Sequence, residues 1–244
     1  MNKLYNKLKK YTLEDAIKIE ESDRQYLALK LMWEWYMTHP WIPSLNSNGR
    51  RQQLNYLWLI IANAIICYQL SWKWEDYWEE FWDFFLPLIW GGDAWKAEGV
   101  IYGLSDFIKQ SKNNKRFIDT KIKRLEKLKP FLEKFIWREE EYYDDMEKLR
   151  DELAKTMKQK KDAKTIVFAV KMFSYWARNY FDRLVYFPES ISIPIDSRLN
   201  NLFESYKWNY TDINKFYFDL SNKLKIPELH LDAIVWVNYD ELIK

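Results

Sequence analysis

Apolar residues recur along this chain at intervals of three and four, the spacing of one face of an α-helix, and such segments alternate with charged ones. The pattern predicts helices over residues 13–19, 22–37, 51–70, 75–85, 95–110, 113–135, 139–157, 163–180, 197–205, 212–224 and 230–242. The breakers are His39-Pro40-Trp41-Ile42-Pro43, Leu86-Pro87, Gly91-Gly92, Pro188 and Pro194. With only 5 Gly and 7 Pro among 244 residues, an all-α protein of one or two compact domains is expected. Residues 54–70 form the longest apolar run, which is too short for a confident membrane span and is interrupted by Asn55, Asn63 and Gln69. It reads as a buried helix. No period of 20 to 50 residues repeats, so a solenoid is not expected.

Charge narrows the choices. The 38 basic and 36 acidic residues leave a formal net charge of +2, so any nucleic-acid surface must come from local segregation. One such segregation is residues 109–127, where Lys109, Lys112, Lys115, Arg116, Lys121, Lys123, Arg124 and Lys127 crowd together. The helical spacing of Phe117, Ile118, Ile122, Leu125 and Leu128 predicts that these cations face outward, as a solvated face or as a phosphate-contacting one. A single cysteine, Cys67, excludes a disulfide framework and a four-cysteine metal site, and suits a reducing cytosol. The basic first ten residues lack the apolar core of a secretory signal. His39 and His230 stand far apart in sequence and are expected to be structural. Trp90-Gly91-Gly92-Asp93 lacks the Lys-Ser/Thr that a phosphate-binding loop needs.

The chemistry concentrates between Asp162 and Arg198. Asp162 is a good N-cap for a helix whose Ile166, Val167, Phe168, Val170, Met172 and Phe173 leave it apolar around most of its circumference. Lys164 then lies in a first turn, where the helix dipole and partial desolvation both favour a neutral, nucleophilic amine; the plain alternative is a lysine extended into water. Further on, Pro194 pushes Ile193 into an extended conformation, so a new helix begins with Asp196 as its cap. That carboxylate is either a cap without chemistry or a cap held ionised and aimed.

Lys164-Thr165 at a helix start, followed thirty-two residues later by Asp196 in Ile193-Pro194-Ile195-Asp196, resembles the lysine and aspartate of the helix-hairpin-helix DNA glycosylases. Residues 163–172, 193–196 and 226–236, in that order, are similar to the archaeal 8-oxoguanine DNA glycosylase/AP lyase family (AGOG), with the likeness running from Asp23 to Trp236. The resemblance implies two helical subdomains with a helix-hairpin-helix element and an active site in the cleft between them: 1–39 plus 190–244 as one, 40–189 as the other. It implies Lys164 as the Schiff-base nucleophile and Asp196 as its catalytic carboxylate. Phe168 and Trp236 would sandwich a flipped base, which Gln25, Trp78 and Asp232 would read at its edges. Met157 to Asp162 stands where the wider superfamily has a glycine-rich hairpin, yet holds no glycine; lysines would take over its phosphate contact. Trp72 and Trp74 flank Lys73 where the family often has glycine, which would reshape the pocket mouth.

The implied partner is DNA containing 8-oxoguanine, double-stranded, with single-stranded DNA left open, and the implied protein is a cytoplasmic monomer associated with the nucleoid. No membrane, metal or organic cofactor is implied. Two other classes stay in view: a helical DNA-binding protein without catalysis, and a Schiff-base enzyme acting on a small carbonyl compound.

Overall fold

The computed structural model describes residues 1–38, 47–71, 74–85, 97–135 and 137–244, the side chains of 35–38, 47–56 and 74–75 excepted. Among the described residues the fold is helical: α1 (Asn2–Leu8), α2 (Leu13–Ser22), α3 (Arg24–Thr38), α4 (Ser47–Ile66), α5 (Trp74–Phe85), α6 (Ala97–Gln110), α7 (Ile118–Phe135), α8 (Glu139–Asp144), α9 (Met146–Met157), α10 (Lys164–Tyr180), α11 (Ser197–Tyr206), α12 (Ile213–Leu224), α13 (Glu228–Val237) and α14 (Tyr239–Leu242). None of these helices is long and apolar enough to cross a membrane.

The two helices read as buried from their composition lie against each other at the centre. α10 is buried from Ile166 to Arg178, and α4 from Leu57 to its end. Each fully buried large apolar side chain there, Phe173 or Ile60 for example, contributes about 1.5–3 kcal/mol of transfer free energy. Helices α3 and α5 to α9 complete this larger core, and α3 adds Tyr26, Leu29 and Met32 to it. A second core gathers Leu4 and Leu8 of α1 with Phe203, Phe216, Tyr217, Ile234 and Leu242, so the two ends of the chain share one cluster. The Met1 ammonium donates to the Tyr206 carbonyl.

Several boundaries differ from the apolar pattern, each for a local polar reason. The pattern carries a helix on to residue 70, but α4 stops at Ile66, Gln69 turns left-handed at φ 50°, and Ser71 N–H donates to Asn113 O at 2.7 Å. The helix predicted from residue 113 begins at Ile118, because Glu80 captures the N–H groups of Lys112 at 2.6 Å and Asn113 at 3.1 Å and holds that stretch as a turn. Residues 139–157 split at Asp145, whose side chain accepts Lys148 N–H at 2.9 Å and starts a new helix. The last predicted helix begins earlier, at Glu228, and breaks at Asn238, whose side chain bonds Ile234 O at 2.8 Å and receives the Tyr11 hydroxyl at 2.9 Å. Helix α1 falls in the basic N-terminal segment, outside the predicted elements.

Candidate active site

The turn ahead of α10 sets where Lys164 stands. Lys158 closes α9 in a left-handed conformation at φ 49°, the place a glycine usually takes, and Gln159 N–H reaches Ala154 O at 2.9 Å. The cap expected at Asp162 lies instead at Ala163, which has extended dihedrals and no side-chain oxygen. Lys164 is therefore the first residue of the helix. It is exposed, without the aliphatic burial expected for it.

Facing it, Asp196 caps α11, its Oδ1 accepting Leu199 N–H at 2.9 Å. Three residues earlier Ile193 N–H donates to buried Oε2 of Glu228 at 2.9 Å, tying this segment to the first turn of α13. Burial pushes the Glu228 carboxyl up to about 7, with the Ile193 N–H pulling the other way.

Between these two walls lies a cleft. Six residues singled out from sequence line it, Gln25, Lys164, Phe168, Asp196, Asp232 and Trp236, together with Asp23, Lys171 and Pro194. The seventh, Trp78, does not line it. Its side chain is 1% exposed in the larger core, edge-on to Phe81 at 5.4 Å, and its indole N–H has no hydrogen-bond partner among the described residues.

Lys171 is a residue that sequence reasoning passed over. Its Nζ donates to Asp232 Oδ2 at 2.5 Å, with the two side chains only 5% and 13% exposed. Burial pulls the Lys171 ammonium down, but the Asp232 charge and hydrogen bond outweigh it, so the net direction is up. Its position was readable: seven residues after Lys164 is two helical turns on the same face. With this ion pair in place the cleft holds only about 50 Å³ of free space, enough for a few waters.

Arg198 is a second residue missed, and it stacks its guanidinium 3.8 Å from the centroid of the Trp236 ring. Tyr217 is buried nearby, donating to Leu199 O at 2.7 Å; burial first, then the charges of Asp196 and Asp232, drive its phenol upward.

A roomier hollow of about 420 Å³ shares Lys164 and Phe168 with the cleft and adds Cys67, Tyr68, Gln69, Arg124, Gln159 and Thr165. Arg124 is fixed there by Ile65 O at 3.2 Å, Gln159 Oε1 at 3.1 Å and Thr165 Oγ1 at 2.9 Å. The expectation of an outward basic face on residues 109–127 fails at two places. Lys121 is fully buried, donating to Asn114 and lying 4.9 Å from the Tyr68 ring, and burial pulls its ammonium down to about 8. Phe117, expected inside, is exposed at φ 57°, because the helix starts only after it. His39, residues 40–43, Trp72, Lys73, Leu86-Pro87, Trp90-Gly91-Gly92-Asp93 and the Trp74 side chain lie outside the described residues.

An amine at a helix start, a capping carboxylate across a cleft from it, and two aromatic rings on opposite walls make an all-helical site suited to covalent attack on a planar, hydrogen-bonding substrate. That is the arrangement expected of a lysine-dependent glycosylase. Residues 5–243 match the AGOG family, N-glycosylase/DNA lyase, and the chain belongs to it as an enzyme of that class. Among its relatives is an N-glycosylase/DNA lyase of Methanococcus maripaludis, 38% identical over 89% of this chain and 78% of the relative. Another, from Thermococcus kodakarensis, is 36% identical over 96% of this chain and 82% of its own length. The crystal structure of the Pyrobaculum aerophilum 8-oxoguanine DNA glycosylase, complexed with 8-oxoguanosine, superposes with a TM-score of 0.69 over 98% of this chain and 86% of that one, at 21% identity, and shares the fold.

Proposed function

We infer that this enzyme removes 8-oxoguanine from DNA and then cuts the strand at the abasic site. The observation that carries this reading is the cleft lined together by Lys164, Asp196, Phe168, Trp236, Gln25 and Asp232. The lesion is flipped out of the duplex and slides between Phe168 and Trp236. In this reading the Lys171–Asp232 pair parts as the base enters. The freed Asp232 carboxylate accepts the purine ring N–H and amine, and Gln25 reaches another edge, whereas Trp78, buried in the core away from the cleft lining, is left out of the base contacts.

The Lys164 amine, once it has given up its proton, attacks C1′ as the bond from C1′ to the base breaks, and the base leaves with the bonding electrons. Asp196 stabilises the positive charge that builds on the sugar and accepts protons. Asp196 takes a proton from the attached amine and returns it to O4′ as the C1′–O4′ bond breaks, which opens the sugar ring to an imine; the imine acidifies the C2′–H, and loss of that proton expels the 3′ phosphate and cleaves the strand. Phosphate contacts come from Lys158, Lys160 and Lys161 in the α9–α10 turn, which takes the place of a helix-hairpin-helix loop. We further propose a cytoplasmic monomer that acts on double-stranded DNA, with single-stranded DNA left open as a substrate.

The test is borohydride trapping with a duplex carrying one 8-oxoguanine, beside undamaged duplex. A covalent complex that depends on the lesion supports the reading. Lesion binding without a complex favours a non-catalytic DNA-binding protein, and neither binding nor trapping overturns the lesion assignment.

A further inference from the structure

Behind the cleft, Glu20 of α2 is completely buried and holds two partners at once. Its Oε2 receives Arg178 Nη2 of α10 at 2.9 Å, and its Oε1 lies 2.7 Å from His230 Nδ1 of α13. The other ring nitrogen of His230 sits 3.1 Å from Phe187 N–H, which can only donate. His230 is therefore neutral, with Nε2 as acceptor and the proton on Nδ1, donating to Glu20. The Arg178 guanidinium also lies 5.6 Å from the rings of both Tyr26 and Tyr175.

This network repeats, at the rear, a link already present at the front. Lys171 precedes Arg178 by seven residues on α10, about 10 Å along the axis, and His230 precedes Asp232 by two on α13. Helices α10 and α13 are thus joined twice: directly through Lys171 and Asp232, and through Glu20, which bonds both Arg178 and His230. Only the front link stands in the cleft. A buried ionic group often adds little stability over apolar residues of the same shape, and in some proteins it serves instead to fix one arrangement.

We propose that Glu20, Arg178 and His230 are positioning residues, a rear anchor that keeps α13 in register on α10 while the front ion pair opens. The anchor returns Asp232 and Trp236 to one geometry opposite Phe168 each time a base enters. This rests on the reading that a flipped base occupies the cleft.

Removing Arg178 alone strands a buried carboxylate, so the decisive variant is the double replacement Glu20→Gln with Arg178→Met, which neutralises both and is expected to fold. Its melting temperature should stay near that of the wild type and its affinity for undamaged duplex should not change. Single-turnover excision should fall roughly 10- to 100-fold, the effect of a misplaced site. Amide exchange across residues 231–237 should speed up while that of α4 holds. Arg178→Lys, which keeps the charge, should recover part of the rate. Wild-type excision by the double variant, or unchanged exchange in 231–237, overturns the anchor. Failure of the wild type itself to excise the lesion would instead sink the substrate reading, and the exchange measurement, which needs no DNA, still decides the anchor.

Discussion

The Arg198 guanidinium lies 3.8 Å from the centroid of the Trp236 ring, and Trp236 lines the cleft that Lys164 and Asp196 share. A stacked cation clamps the indole from one side and leaves the other to a ligand. Such a contact is worth about 0.5–2 kcal/mol. Arg198→Ala should therefore weaken binding of lesion-bearing duplex by about 2- to 30-fold, with Arg198→Lys intermediate. Titration of a fluorescent lesion duplex checks this; equal affinities for all three proteins would remove Arg198 from the wall.

Lys164→Gln should fold, keep its preference for the lesion duplex, and give no borohydride-trapped complex. Denaturing gels of the trapped mixture read this directly. Trapping that persists in the variant would move the nucleophile to another amine, and Lys171 is the other lysine of the cleft lining.

Asp196 has two jobs that substitution can separate. In Asp196→Asn the amide oxygen still accepts the Leu199 N–H, so the melting temperature should shift little. Single-turnover excision should drop by at least about 100-fold, since the charge opposing the sugar cation is gone. A near-normal rate would reduce Asp196 to a helix cap.

Glu228 predicts a pH dependence of stability. Its carboxyl is raised to about 7 in the folded protein from an ordinary 4.5, so the folded state favours the protonated form. The stabilisation this gives is complete below 4.5 and is lost as pH rises through 7. Glu228→Gln keeps an oxygen for Ile193 N–H but cannot ionise. Between pH 5 and pH 8 the variant should gain on the wild type by on the order of 2–3 kcal/mol. Parallel melting curves across that range would show that the carboxyl is not buried as described.

Much of this was legible in the residues. Helical periodicity located the buried α10, and Pro194 located the cap at Asp196, because both signals are local. The Lys171–Asp232 pair, the Arg198–Trp236 stack and the Glu20 network were not legible, since each joins residues that only tertiary packing brings together. The misplaced boundaries have one common origin. Polar side chains such as Glu80, Asp145 and Asn238 captured backbone groups that the apolar pattern had assigned to a continuing helix. Lys121 shows the converse: a lysine counted as surface is buried where Asn114 offers it an oxygen.

The filled cleft has a kinetic meaning on the proposed reading. A base can enter only the fraction of molecules whose Lys171–Asp232 pair has parted, so the apparent affinity of every base is reduced by that same fraction. The pair therefore adds nothing to the ratio by which a lesion is preferred. What it shortens is the time lost on ordinary bases, which outnumber lesions enormously and which, in an open cleft, would hold the enzyme at each position it sampled. A resting site occupied by its own side chains is in this sense a search device: discrimination comes from the walls, and mobility along the duplex from keeping them closed.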